Sequence, residues 1–179
     1  LQIQHLPESI QAILAKHAAP PRLVAHLTIV HDVAVRLTAR LQHHWPHLTY
    51  DRQAVLIGAA THDIGKAIVR EELTGPGSRH EEIGPQLLRE SGLRESYARF
   101  ARTHNQWAQE SPLEDLLVAF ADTIWKGKRN IELEEALVKR IASQCQQEVW
   151  SVYMQFDEIA EELAQDAHHR LLWQGTYAP

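Results

Sequence analysis

The stretch Asp51-Arg-Gln-Ala-Val-Leu-Ile-Gly-Ala-Ala-Thr-His-Asp-Ile-Gly-Lys66 decides how this chain is read. Val55, Ala59 and His62 fall on one stripe and Leu56, Ala60 and Asp63 on the next, the 3–4-residue spacing of an α-helix that buries one face. Asp51 is of the residue type that caps helix starts, and Gly65 of the type that ends them. An imidazole and a carboxylate therefore arrive side by side in the last turn of a helix that otherwise buries small and aliphatic groups. The Gly58-Ala59-Ala60 step leaves room for a neighbouring helix, expected to be the one that carries His26.

Outward from this stretch the same periodicity recurs. Towards the N-terminus, Leu23, His26, Val30, Val33, Ala34, Leu37 and Leu41 share a face, and Pro20 and Pro21 suit the first turn of that helix. Towards the C-terminus, Ser78 and Glu81 form a capping-box pattern, with Pro85 predicting a kink or a late start. Tyr97, Phe100, Ala101 and His104 share another face. Ser111, Pro112 and Glu114 announce a helix that should run to about Gly127. Leu133, Leu137 and Ile141 follow Asn130, and one long last helix should carry Val149, Tyr153, Phe156, Ala160, Leu163, Ala167 and Leu171. No alternating strand pattern is evident, so the expectation is a compact all-α bundle of about six or seven helices.

The chain has 179 residues, 44% of them hydrophobic, which suits one globular unit with a core that needs no disulfide staples. Lys and Arg number 18 against 23 Asp and Glu, and the densest basic cluster is Lys126, Lys128 and Arg129, which argues against general nucleic-acid binding but not against small anions. No apolar run reaches the length of a membrane span, about 18 residues or more. Leu1 to His5 lacks the basic start and apolar stretch of a leader, and Cys145 has no partner cysteine, so the cytoplasm is the expected compartment. Trp150 and Trp173 are expected in core packing or a homodimer contact rather than in base stacking.

Twelve histidines are a high count, and position must sort them. His26 lies on the inward face of its helix. His31, about 140° further round, should be solvated. Burying Asp63 without a partner is unfavourable, and a divalent cation would remove that penalty. The helix C-terminus adds partial negative charge that also favours a cation. Imidazole nitrogen with carboxylate oxygen suits iron, manganese, cobalt or zinc rather than calcium. Asp122 repeats the anomaly within Leu116-Leu-Val-Ala-Phe-Ala-Asp-Thr-Ile-Trp125, a segment too apolar for an idle carboxylate; a salt bridge or a metal would satisfy it.

A histidine on an early helix, His62-Asp63-Ile64-Gly65-Lys66, and Asp122 on a later apolar helix together resemble the HD-domain metal-dependent phosphohydrolase superfamily. The resemblance covers roughly residues 22–130 and leaves a helical extension over about 131–174. His80 in Arg-His-Glu-Glu-Ile-Gly and His104 in Ala-Arg-Thr-His-Asn fit the subset with two metals. The resemblance implies that His26, His62, Asp63 and Asp122 take one metal and that Asp63, His80 and His104 take the second, with Asp63 bridging. One or two divalent transition-metal ions would then hold a hydroxide that attacks a phosphate ester or anhydride of a small nucleotide. Lys66 would hold a phosphate oxygen, with Arg79, Lys126, Lys128 and Arg129 as weaker candidates for the rest of an anionic substrate.

Thr61 replaces the usual aliphatic residue before the His-Asp pair, and residues 71–79 lack the Gly-Tyr-Pro signature of the branch that cleaves cyclic dinucleotides. The ligand order looks more like the dinucleoside-tetraphosphate hydrolase branch. Two other classes use the same residues: a di-iron oxygenase of a small substrate, and a non-catalytic metal or nucleotide sensor whose terminal helices contact a partner.

Overall fold

The computed structural model describes residues 2–179; Leu1, the first residue of the segment read for a leader, lies outside them. Ten α-helical segments follow one another: α1 (Glu8–Lys16), α2 (Pro21–His44), α3 (Arg52–Thr61), α4 (Arg79–Glu90), α5 (Glu95–Ala98), α6 (Phe100–Thr103), α7 (Leu113–Ile124), α8 (Ile131–Cys145), α9 (Val149–Gln165) and α10 (Ala167–Gly175). Two 3₁₀ turns, Ile64–Ala67 and Arg70–Leu73, sit between α3 and α4. Among the described residues there is no strand, and no helix is long and apolar enough to cross a membrane.

Local chemistry explains most of the boundaries. Asp51 Oδ1 accepts from the Ala54 N–H at 2.9 Å and starts α3, and Asn130 Oδ1 does the same for Leu133 at the head of α8. Pro21 opens α2, where its missing N–H is no loss. α4 starts at Arg79 and runs through Pro85, so the proline neither delays nor ends it. The Ser78 side chain makes no capping hydrogen bond; the Glu72 carboxylate takes the Arg79 and His80 N–H groups instead.

The helix count exceeds the expected six or seven for identifiable reasons. α1 was not marked by the periodicity, yet Ile10, Ile13 and Leu14 bury against Leu23, Leu27, Ala60 and Ile64. The expected single last helix breaks at Asp166, because the buried Arg170 guanidinium donates to the Leu163 carbonyl at 2.5 Å and turns the chain. That break lays α10 back on α2.

α2 is the spine of the molecule, packing on α3, α7, α9 and α10. One buried cluster joins it to α3, α7, α8 and α9, from Val30 and Leu37 through Leu116 and Phe120 to Phe156 and Leu163. With neighbours on so many sides, α2 has no wide solvent face. His31 is therefore buried rather than solvated, and so is Asp32, which binds Arg36 and the Gln4 N–H. Gly58 makes room for Phe100 and Val118, whose atoms would lie 2.7 and 2.9 Å from a Cβ there, so α6 and α7 press on that position, while α2, which carries His26, packs along α3 as expected.

Candidate metal centre

Four pieces of chain converge on the end of α3. α3 stops at Thr61, and His62 and Asp63 occupy the link to the 3₁₀ turn rather than the last helical turn. Gly65 then passes against α4 so closely that a Cβ would stand 2.1 Å from the His80 carbonyl oxygen. A side chain at 65 would push His80 away. His104 follows α6, which is clamped to α7 because Asp115 accepts from Arg99 at 2.6 Å and from Thr103 at 2.5 Å. α2 and α7 bring His26 and Asp122 from the opposite side.

The structure brings all six residues together. His26 Nε2 lies 3.2 Å from His62 Nε2, 3.3 Å from Asp63 Oδ2 and 3.3 Å from Asp122 Oδ1. His62 Nε2 is 3.4 Å from the same Asp122 oxygen. Asp63 Oδ1, the other oxygen of that carboxylate, faces His80 Nε2 at 3.2 Å and His104 Nε2 at 3.5 Å. Asp63 thus divides the cluster into two donor sets, one on each oxygen.

Tautomers follow from the partners of the other ring nitrogens. His62 Nδ1 donates to the Ala59 carbonyl at 3.0 Å, and His104 Nδ1 to the Phe100 carbonyl at 3.2 Å. His80 Nδ1 donates to Glu72 Oε2 at 2.5 Å. In neutral imidazoles each Nε2 is then a bare lone pair. The lone pairs of His62 and His80 point at carboxylate oxygens or a neighbouring imidazole, an arrangement of acceptors that only a shared cation or a proton can hold, whereas His104 Nε2 also takes an N–H from the Asn105 side chain at 2.8 Å. His80 Nε2 and Asp63 Oδ1 are both buried without a hydrogen-bond partner. The donor set fits divalent transition metals, and three groups of side chains could each hold an ion: His26, His62 and Asp122; His62, Asp63 and His104; His80, Glu81 and His104.

The electrostatics agree. Burial would raise Asp63, but His62, His26, His80 and Lys66 hold its carboxyl well below the usual range. Asp122 is likewise held low, burial being outweighed by His62 and His26. Burial would lower His26, yet its hydrogen bonds to Asp122 and Asp63 push it up to about 9. His104 is pulled down to about 4 by burial and by the facing His62. The cluster therefore holds two ionised carboxylates in a buried, histidine-lined space, a site primed for positive charge.

A family model described as the HD domain matches residues 23–125. This chain belongs to the HD-domain family. No solved structure matches it. The match begins and ends just outside His26 and Asp122, so it takes in all six clustered residues of this HD domain. The family consists mostly of metal-dependent hydrolases, with phosphohydrolase activity as the general expectation.

The cluster opens into a polar pocket of about 160 Å³ lined by Arg22, Leu23, His26, Asp63, Lys66, Leu73 and Gln174. Lys66 Nζ reaches Asp63 Oδ2 at 2.6 Å and so stands at the mouth of the site. Of the other basic candidates, Arg79 is exposed and pairs with Glu71, Lys126 lies over the Trp125 ring, and Arg129 is tied to Glu134 and Asp157. None of these, nor Lys128, lines the pocket. Arg22 does, and nothing in the sequence distinguished it from any exposed arginine in a first helical turn.

Glu72 and Glu81 also escaped sequence reasoning. Both are buried, and Glu81 accepts from Asn105 and Gln106 beside His104. Glu81 has the spacing of a capping residue, but its side-chain partners lie 24 and 25 residues away.

A larger cavity of about 530 Å³ lies between the N-terminal segment, α1, α2 and the end of α10, lined mainly by apolar groups such as Leu14, Val24 and Trp173. It contains none of the six clustered residues.

Proposed function

We propose that this HD domain hydrolyses a phosphate ester or anhydride of a small nucleotide, using two divalent cations. The observation that supports the reading is the division at Asp63, whose two carboxylate oxygens face separate imidazole sets. His26, His62, Asp63 and Asp122 would hold one cation, and Asp63, His80 and His104 the other. When bound, such cations lower the pKa of an attacking water and neutralise charge developing on the phosphoryl group. Iron, manganese, cobalt and zinc all suit these donors.

The protein's own groups would do the rest. Lys66 and Arg22 line the pocket as cations, where they would receive phosphate oxygens, Lys66 exchanging its Asp63 contact for a substrate oxygen. Ser or Cys nucleophiles play no part. The substrate is a small anion rather than a nucleic acid, in keeping with a net charge of −5 and a pocket of about 160 Å³. The cytoplasm is the proposed compartment, and a homodimer through exposed α9 groups such as Trp150 is the proposed assembly.

The test is a screen of dinucleoside polyphosphates, nucleoside phosphates and cyclic nucleotides with protein loaded with each metal, in which product nucleotides, inorganic phosphate and oxygen uptake are all measured. Metal-dependent hydrolysis that disappears in Asp63→Ala is expected. Oxygen consumption with no hydrolysis product would replace the hydrolase by an oxygenase, and binding without turnover would replace it by a sensor.

A further inference from the structure

The three buried histidines of the cluster are not anchored alike. His62 and His104 each place their Nδ1 proton on a neutral backbone carbonyl, of Ala59 and Phe100 respectively. His80 places its proton on a carboxylate, Glu72 Oε2, at 2.5 Å. Glu72 is itself buried, and its two oxygens are fully used: Oε1 accepts the Arg79 N–H at 3.0 Å, and Oε2 also accepts the His80 N–H at 3.1 Å. One side chain therefore starts α4, fixes the ring of its second residue, and supplies the ring with negative charge.

The chain is shaped around this carboxylate. Glu72 lies in the second 3₁₀ turn, and the loop Thr74-Gly75-Pro76-Gly77 folds back over it until a Cβ at Gly77 would stand 2.2 Å from Oε1. Glu72 is held below the usual carboxylate range, burial being outweighed by its bonds from His80 and Arg79. An ionised, caged carboxylate has no freedom to leave the ring.

We propose that Glu72 is the positioning residue of the second cation. It holds His80 in the tautomer with a bare Nε2 and makes that nitrogen a stronger donor than those of His62 and His104. The proposal rests on the reading that Asp63, His80 and His104 hold that cation. A carboxylate behind a metal-bound imidazole fixes the ring and raises its basicity, and its loss typically weakens metal binding about 10–100-fold. Glu72 touches neither substrate nor cation.

The decisive experiment measures metal content per chain and chelator-competition affinities, with zinc as the probe, in wild type, Glu72→Gln, His80→Ala and the double variant. Glutamine keeps the volume and one acceptor but removes the charge. The expected result is a Glu72→Gln protein that folds, keeps one tight zinc and binds the other about 10–100-fold more weakly, with no further loss when Glu72→Gln is added to His80→Ala. Equal zinc affinity at both sites in Glu72→Gln and wild type overturns the proposal while leaving the two-metal reading intact. A further loss in the double variant as large as in the single one also overturns it, because a merely structural role does not act through His80. Wild type that binds no zinc overturns the two-metal reading itself. Should Glu72→Gln fail to fold, nitrogen NMR of wild type reads the tautomer directly. A protonated His80 Nδ1 with a zinc-sensitive Nε2 is expected, and zinc on Nδ1 would overturn the assignment.

Discussion

Asp63 Oδ1 lies 3.2 Å from His80 Nε2, and neither buried atom has a hydrogen-bond partner. His80 Nδ1 already gives its proton to Glu72, so a lone pair faces a carboxylate oxygen across that gap. The other oxygen of Asp63 faces His26 and Lys66. Asp63→Ala removes the carboxylate that faces both halves of the cluster, one oxygen to each. The variant should lose affinity for both ions, by at least about 100-fold, and with it all hydrolysis. Elemental analysis alongside assay of the hydrolysis products checks this, and full metal-dependent turnover in Asp63→Ala would contradict the site.

Lys66 should behave differently. Its ammonium lies at the pocket mouth and is not a metal donor, so Lys66→Ala should keep its metal content. A lost charge-assisted hydrogen bond to phosphate is worth roughly 1.5–3 kcal/mol, or about 10–150-fold in kcat/KM. Steady-state kinetics with metal content measured on the same sample separates the two effects. Arg129→Ala, by contrast, breaks pairs with Glu134 and Asp157 and should lower thermal stability with little change in kinetics.

Much of this was written in the sequence, and the exceptions share a cause. The 3–4 spacing from Leu23 to Leu41, the Asp51 and Asn130 caps and the apolar run around Asp122 each act within a few residues, so they could be read directly. His31 defeated the same reasoning because α2 is covered on several sides, and a one-face pattern assumes one buried face. Arg170 broke the last helix through a carbonyl seven residues back, with no glycine or proline to announce it. At the site, His26, His62, Asp63 and Asp122 stood out as polar residues in apolar surroundings, whereas His80 and His104 came only through family resemblance. Glu72 sits in Arg-Glu-Glu-Leu, where nothing local separates the buried Glu72 from the exposed Glu71.

Metal binding should be strongly pH-dependent. His26 has its pKa raised to about 9 because bonding to Asp122 and Asp63 outweighs burial, so below that pH the metal-free protein keeps a proton that a metal must displace. Affinity should rise by up to about tenfold per pH unit from 7 to 9 and then level off. The sign for stability is the reverse. A raised pKa stabilises the metal-free fold fully below the unfolded value of about 6.5, and this contribution is lost as pH climbs to about 9. Calorimetric titrations in buffers of different ionisation enthalpy count the released protons, and melts in chelator follow the stability. Affinity that is flat from pH 7 to 9 would exclude His26 as a ligand.

Gly65 offers a purely steric test. Gly65→Ala sets a methyl 2.1 Å from the His80 carbonyl oxygen, so α4 must shift. Overpacking of this kind costs typically about 1–3 kcal/mol, and here the displaced element carries His80. The variant should melt at lower temperature and lose one ion while keeping the other. Unchanged metal content would mean that the approach of α4 to the turn does not set the site.

The central claim is that one carboxylate joins two metal positions. Its most direct test is metal content per chain, after purification without oxygen or affinity-tag metal, for wild type beside the His80→Ala/His104→Ala double variant. About two ions per chain, falling to about one in the variant, is the predicted result. No bound metal in wild type after reconstitution, or the same single ion in both proteins, would contradict it.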